Sequence, residues 1–183
     1  MITVLPASGF RQGRWLNGMG VSWDIAAEPN GAGSADFAWR FAIARIDADV
    51  PFSRYASVDR VFTLIAGEGL ALDLEGQAPL IIDRSFVPHA FPGDVATSCR
   101  LTAGPCRALN LFLTRGPWGA DVKIVRGAGQ LAGGEPLLLF ALDGDVALDG
   151  NILHAGDAAV ATGVLHYAAG PYHLYAARLF RKT

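Results

Sequence analysis

Arg60 is the residue of this sequence whose type and setting most directly invite chemistry. It sits in Val58-Asp59-Arg60-Val61-Phe62-Thr63-Leu64-Ile65. Strand alternation puts Arg60, Phe62 and Leu64 on one face and Asp59, Val61, Thr63 and Ile65 on the other. A guanidinium beside Phe62 and Leu64 is expensive to bury unless something anionic meets it. Asn110 is a second polar intrusion, inside Ala108-Leu109-Asn110-Leu111-Phe112-Leu113. A buried amide needs partners, and it offers a donor and an acceptor either to a ligand or to a neighbouring strand. Trp39 and Phe52 are candidate pocket walls, with plain core as the alternative. Arg40 lies on the face opposite Trp39 and Phe41, so only one set points inward; the expectation is Trp39.

Other chemistries have weaker support. No two of His89, His154, His166 and His173 are two residues apart, so a close histidine pair of the kind that anchors a metal is missing. Neither a metal nor an organic cofactor is expected. His166 and His173, near Tyr167, Tyr172 and Tyr175, read as structural. Ser53, His89 and Asp59 do not suffice for a hydrolase triad without a Gly-x-Ser-x-Gly turn, and Ser53 reads as a turn cap. Gly127-Ala128-Gly129-Gln130-Leu131-Ala132-Gly133-Gly134 lacks the lysine and serine of a phosphate loop and reads as a linker.

The elements that must position these residues are strands. The chain has 183 residues, 22 of them glycine and 10 proline, and apolar segments of about five to eight residues lie between them, the pattern of a sandwich or barrel. Candidate strands are Gly20–Ala26, Phe37–Ile46, Arg60–Ile65, Gly69–Leu74, Pro79–Ile82, Ala96–Thr102, Cys106–Thr114 and Ala120–Val125. Further along they are Glu135–Ala141, Asp145–Leu148, Asn151–Leu153, Ala158–Ala161 and Leu174–Arg181. The chain also repeats itself: the segment Leu64–Asp73 resembles Phe140–Asp149, and Phe91-Pro92-Gly93-Asp94 has a counterpart in His154-Ala155-Gly156-Asp157. Two copies of one jelly-roll unit, an all-β bicupin, are expected, divided as 1–126 and 127–183, the second completed by N-terminal strands.

Composition bounds the function. Hydrophobic residues make up 51% and charged ones 17%, which argues for a substantial core and against disorder. A formal net charge of −2 gives no electrostatic reason to bind nucleic acid. No apolar run reaches membrane-spanning length, and Met1-Ile2-Thr3-Val4-Leu5-Pro6 lacks a signal peptide's basic start. A cytoplasmic protein is expected, with Cys99 and Cys106 as buried reduced thiols flanking a hairpin turn at Leu101–Pro105.

The ordered set Arg14-Trp15-Leu16-Asn17-Gly18-Met19-Gly20, Asp36–Ala44, Pro51-Phe52-Ser53, Val58-Asp59-Arg60, Phe91–Asp94, Leu101–Gly104 and Asn110 followed by Arg115-Gly116 resembles the HutD/Ves family of bacterial bicupins. The resemblance covers nearly the whole chain, most strongly from Trp15 to about Arg126. It implies a small, cytoplasmic, metal-free bicupin associated with histidine utilisation or stress responses. Two departures stand out. Ala108 and Leu109 replace an acidic-aromatic pair, which bears on what a pocket recognises, and Ala56-Ser57 replace Pro-Gly in a loop.

Together these readings give a candidate binding set of Arg60, Asn110, Trp39, Phe52, Phe62 and Arg115, for a small anionic metabolite such as an N-formyl or formimino amino acid. Arg60 would meet the carboxylate, Trp39 and Phe52 would wall the pocket, and Asn110 would bond the polar end. Two rival readings remain open. One is a metal-free enzyme using Asp59, Asp94 or a histidine for proton transfer; the other is a surface for a regulatory protein. A homodimer through an edge strand fits any of the three.

Overall fold

Frequent glycine and proline, with β-branched and aromatic residues between them, leave little besides short strands. The computed structural model describes residues 1–33, 36–133 and 135–182. Its one helical turn among them is a 3-10 turn at Ala7–Gly9. The strands are β1 (Ile2–Leu5), β2 (Arg11–Arg14), β3 (Val21–Glu28), β4 (Trp39–Ile46), β5 (Val50–Pro51), β6 (Val58–Ala66), β7 (Leu70–Leu74), β8 (Leu80–Ile82), β9 (Pro88–Pro92) and β10 (Thr97–Leu101). They continue with β11 (Cys106–Thr114), β12 (Trp118–Val125), β13 (Gly129–Leu131), β14 (Leu137–Ala141), β15 (Val146–Leu148), β16 (Asn151–Leu153), β17 (Ala158–Ala161), β18 (Leu165–Tyr167) and β19 (Leu174–Arg181).

Two compact units result. The N-terminal unit spans Arg11–Arg115; the C-terminal unit joins Met1–Phe10 to the chain from Gly116 onward. In the N-terminal unit the sheets run β2-β3-β4-β11-β6-β9 and β5-β10-β7-β8. In the C-terminal unit they run β1-β17-β14-β19-β12 and β13-β18-β15-β16. Adding eight to each strand number from β4 to β11 converts one arrangement into the other. The Leu64–Asp73 and Phe140–Asp149 match is therefore a repeat of structure, and the fold is a bicupin; the Phe91–Asp94 and His154–Asp157 match is not, since the first runs past the end of β9 and the second precedes β17, the strand equivalent to β9. The β6–β7 and β14–β15 connections, which carry the two matching segments, occupy equivalent places in it.

The boundary falls at Arg115/Gly116, eleven residues before the expected end of the first unit at 126, because β12 pairs with β19. The glycine-rich stretch after Arg126 is not a linker: Gly129–Leu131 forms β13, paired with β18, while Gly134 lies outside the described residues. Nor do Cys99 and Cys106 flank a hairpin. β10 pairs with β5 and β7, β11 with β4 and β6, so Leu101–Pro105 crosses from one sheet to the other. Both thiols are free and buried, and burial pushes the Cys99 thiol up to about 12. β9 was not expected as a strand, being bounded by Pro88 and Pro92; it is tolerated because it is an edge strand, with β6 as its one partner in the sheet.

Candidate functional site

β11 is the centre of the site because it pairs with β4 on one side and β6 on the other. In register, Asn110 stands between Ala42 and Phe62, and Phe112 stands between Arg40 and Arg60. Period two then gathers Arg40, Ala42 and Ala44 of β4, Asn110 and Phe112 of β11, and Arg60 and Phe62 of β6 on the inner face. Ser22 and Asp24 of β3 join them opposite Ala44 and Ala42. Alanine at positions 42, 44 and 108 keeps part of this face low, and a cavity of about 30 Å³ remains above it. Trp15, Phe52, Ser53 and Tyr55 complete the lining from outside the six-stranded sheet. The space has room for one or two waters, or for the head of a small molecule.

Arg60 is 6% exposed. Its Nη2 donates to Asn110 Oδ1 at 2.7 Å, while its buried Nε has no partner. No carboxylate among the described residues pairs with it. Instead its guanidinium lies 4.9 Å from the Phe112 ring centroid, 5.0 Å from Phe52 and 5.2 Å from Phe91. These cation–π contacts offset part of the desolvation. Burial nevertheless lowers its pKa to about 10; nearby Tyr55 counters the effect and the charge of Arg40 adds to it. A Cβ on Gly93 would lie 2.9 Å from the Val58 carbonyl and 3.3 Å from Arg60 Cγ, so glycine in Phe91-Pro92-Gly93-Asp94 is what lets the Arg60 stem pass. Asn110 is 1% exposed, and its Nδ2 makes only a long 3.4 Å bond to the Ala108 carbonyl.

Arg40 faces the same cavity in a different state. Its Nε donates to Asp24 Oδ1 at 2.7 Å and its Nη2 to Ser22 Oγ at 3.2 Å. The Phe112 ring, 5.3 Å from Arg40 and 4.9 Å from Arg60, is shared by both guanidiniums. One arginine is neutralised and the other is not. Asp24, which also accepts from the exposed Arg11 Nη2 at 3.1 Å, is the counterion of Arg40, and among the described residues Arg60 has none.

Of the expected set, Arg60, Asn110, Phe52 and Phe62 come together around this cavity. Trp39 does not. It is buried, but Arg40 and Ala44 line the cavity, so the face of β4 opposite Trp39 is the one turned toward it. Arg115 is also elsewhere: its Nε donates to Asp59 Oδ1 at 2.9 Å, and its Nη1 and Nη2 clamp both oxygens of Asp94 at 2.8 and 3.0 Å. Those hydrogen bonds raise its pKa and hold the Asp94 carboxyl below the usual range. Arg115 fastens the end of β11 to the start of β6 and to the turn after β9. The carboxylates considered for proton transfer are its counterions. Arg40, Phe112, Tyr55, Ser22 and Trp15 were missed. Phe112 had a usable signal, since it stands two residues from Asn110 on the same strand face.

The histidines lie apart from the cavity. His154 Nδ1 is 2.9 Å from Asp145, His166 Nδ1 is 3.3 Å from Asp149, and His173 Nδ1 is 2.5 Å from Asp143. His89 pairs with Phe62 across β9 and β6; burial lowers its pKa. Among the described residues no cluster of three or more His, Cys, Asp or Glu could hold a metal ion, and no helix is long and apolar enough to cross a membrane.

Comparison with known proteins places this geometry among relatives. The chain is 31% identical over 148 residues to an uncharacterized 21.2 kDa protein in the hutC 3′ region of Pseudomonas putida, covering 79% of this chain and 76% of that one. It is 28% identical over 146 residues to Protein Ves of Citrobacter koseri, covering 79% and 75%. The solved structure of HutD from Pseudomonas fluorescens SBW25 superposes with a TM-score of 0.87 at 28% identity, over 100% of each chain. The family model described as HutD matches residues 7–170, through the first copy of the eight-strand repeat and the second as far as β18. The chain belongs to the HutD family.

Proposed function

We propose that this protein is a cytoplasmic, metal-independent binding protein for a small monoanionic group, held in the cavity of the N-terminal unit and serving the regulation of histidine utilisation. The observation carrying the reading is Arg60, a buried cation with an unpartnered Nε and no carboxylate beside it. An incoming carboxylate or formyl oxygen supplies the missing acceptor, in a charge-assisted bond worth roughly 1.5–3 kcal/mol. Asn110 Nδ2, with only a weak bond to lose, donates to the same group. Phe52, Phe62 and Phe112 give it apolar walls. Because Arg40 already has Asp24 as a counterion, which it shares with Arg11, the incoming anion is drawn to Arg60. Histidine utilisation enters through the names of relatives, and N-formyl and formimino amino acids are its metabolites with a fitting carboxylate and planar polar end.

The test is a thermal-shift screen of chelator-treated protein against histidine, urocanate, formiminoglutamate, formylglutamate and glutamate. A ligand at 100 times its dissociation constant adds about 2.7 kcal/mol of stability. A selective shift that disappears in Arg60→Ala is the expected result. No shift with any member of the panel removes the histidine-pathway ligand, and a shift that survives Arg60→Ala removes this site.

A further inference from the structure

Arg60 and Asn110 are 6% and 1% exposed, and the space of about 30 Å³ before them admits a ligand of more than a few atoms only if part of the cavity wall moves. Most of that wall is fixed, since Ser22, Arg40, Ala44, Arg60, Phe62, Asn110 and Phe112 all stand on strands of one sheet. The remainder comes from two loops: Trp15 from the β2–β3 tip, and Phe52, Ser53 and Tyr55 from the stretch between β5 and β6.

The tip is a self-contained hairpin end. Trp15 N donates to the Gly20 carbonyl at 2.9 Å, Gly18 N to the Trp15 carbonyl at 2.8 Å, and Met19 N to Asn17 Oδ1 at 3.1 Å. The indole lies over Gly20, where a Cβ would fall 2.4 Å from Trp15 Cε2. Outward ties are few. Trp15 Nε1 donates to the carbonyl of Val21, the first residue of β3, at 3.0 Å, so the ring is tied at the hinge end of the tip; across the gap Asn17 N donates to Ser53 Oγ at 3.2 Å, Asn17 Nδ2 donates to the Pro51 carbonyl at 2.9 Å, and the Trp15 ring meets Phe52 edge-on at 5.6 Å. Leu16 and Met19 are 47% and 53% exposed, so the rest of the tip contributes little packing. A segment with internal bonds and few external ones opens as a body at low cost.

We infer that the Trp15–Gly20 tip is the door of the Arg60 cavity, with the Trp15 ring as its panel and Asn17 as its latch on Pro51 and Ser53. This rests on the anion-binding reading for its purpose, but not for its test. Asn17 thereby becomes a residue that governs access without touching the anion.

The experiment is arginine modification by phenylglyoxal, too bulky for the closed cavity, followed residue by residue by peptide mass spectrometry. Exposed Arg84 serves as the internal reference. In the unaltered protein Arg60 should react far more slowly than Arg84. Losing the side-chain bond in Asn17→Ala should speed Arg60 about tenfold and leave Arg84 unchanged, with Ser53→Ala giving a smaller change in the same direction. Buried Cys99 must stay unreactive to a thiol reagent in both variants. Equal Arg60 rates in Asn17→Ala and the unaltered protein overturn the door. So does Arg60 reacting as fast as Arg84 from the outset, or Cys99 becoming reactive together with Arg60, which would mean general loosening. No anion-induced thermal shift combined with Asn17-dependent labelling would defeat the anion reading and leave the door standing.

Discussion

The two units share one strand plan and fill it in opposite ways. In the C-terminal unit one core cluster is Leu131, Leu137, Leu139, Ala141, Val146, Leu148, Leu153, Leu165, Leu174 and neighbouring alanines with Tyr172, while Trp118, Phe140 and Tyr175 are buried elsewhere in the unit. Arg178, opposite Leu137 in register, is an exposed residue that pairs with Asp121. In the N-terminal unit the equivalent face retains two arginines and an amide among Phe52, Phe62, Phe91 and Phe112. Aliphatic packing yields stability but no recognition. A buried guanidinium costs stability and gains directional bonding once an anion arrives. One copy is filled for packing, and the other keeps a small cavity lined by a buried cation.

Exchanging the two fillings should break this contrast most severely. Leu139→Arg places an unpaired charge at a fully buried aliphatic position, at a cost of more than about 4 kcal/mol; circular dichroism and gel filtration should show no folded protein. The reverse exchange is tolerated. Arg60→Leu combined with Asn110→Leu removes both members of a buried polar pair, so urea denaturation should show stability unchanged or raised by about 1–3 kcal/mol. The anion-dependent thermal shift should vanish in the same protein. A large destabilisation there would mean that Arg60 is structural.

Arg115→Gln sharpens the contrast by separating fastening from binding. It frees Asp59 and Asp94 while leaving the cavity lining in place, so a modest fall in the urea midpoint with undiminished anion response is expected. Acid titration makes the same point. The Asp94 carboxyl, whose ordinary value is 3.8, is depressed by Arg115. Its contribution is therefore full above that value and lost as pH falls through the depressed one. Arg115→Gln should flatten this acid limb. The smallest effect belongs to the C-terminal unit, where the Asp145 hydrogen bond raises the His154 pKa above 6.5. That contribution is present below 6.5 and lost as pH rises through the raised value, and His154→Asn should remove it from the stability profile.

The sequence made Arg60, Phe62 and Asn110 legible because polar residues broke an apolar alternation, a signal that needs only local periodicity. Trp39 misled because β4 is buried on both faces except at Arg45, and alternation cannot say which buried face holds a cavity. Arg115 misled for a different reason: its partners Asp59 and Asp94 lie 56 and 21 residues away, and no local pattern announces a clamp of that span. The eight-strand repeat was visible only where turn chemistry preserved it, between β6 and β7 and between β14 and β15. Strands such as Arg11-Gln12-Gly13-Arg14, polar and wholly exposed, carry no apolar period to read.

The pairing of β1 with β17, from Ile2 opposite Ala161 to Leu5 opposite Ala158, has a consequence for the order of synthesis. Ile2–Leu5 precedes the Arg11–Arg115 unit in the chain, yet its partner strand β17 is made only after that whole unit. Throughout that interval the nascent chain carries a short apolar segment with open hydrogen-bonding groups, the kind of edge that recruits unwanted neighbours. A ribosome stalled far enough past residue 115 for β11 to clear the exit tunnel, but before β17 is made, would display a completed N-terminal barrel and a loose β1.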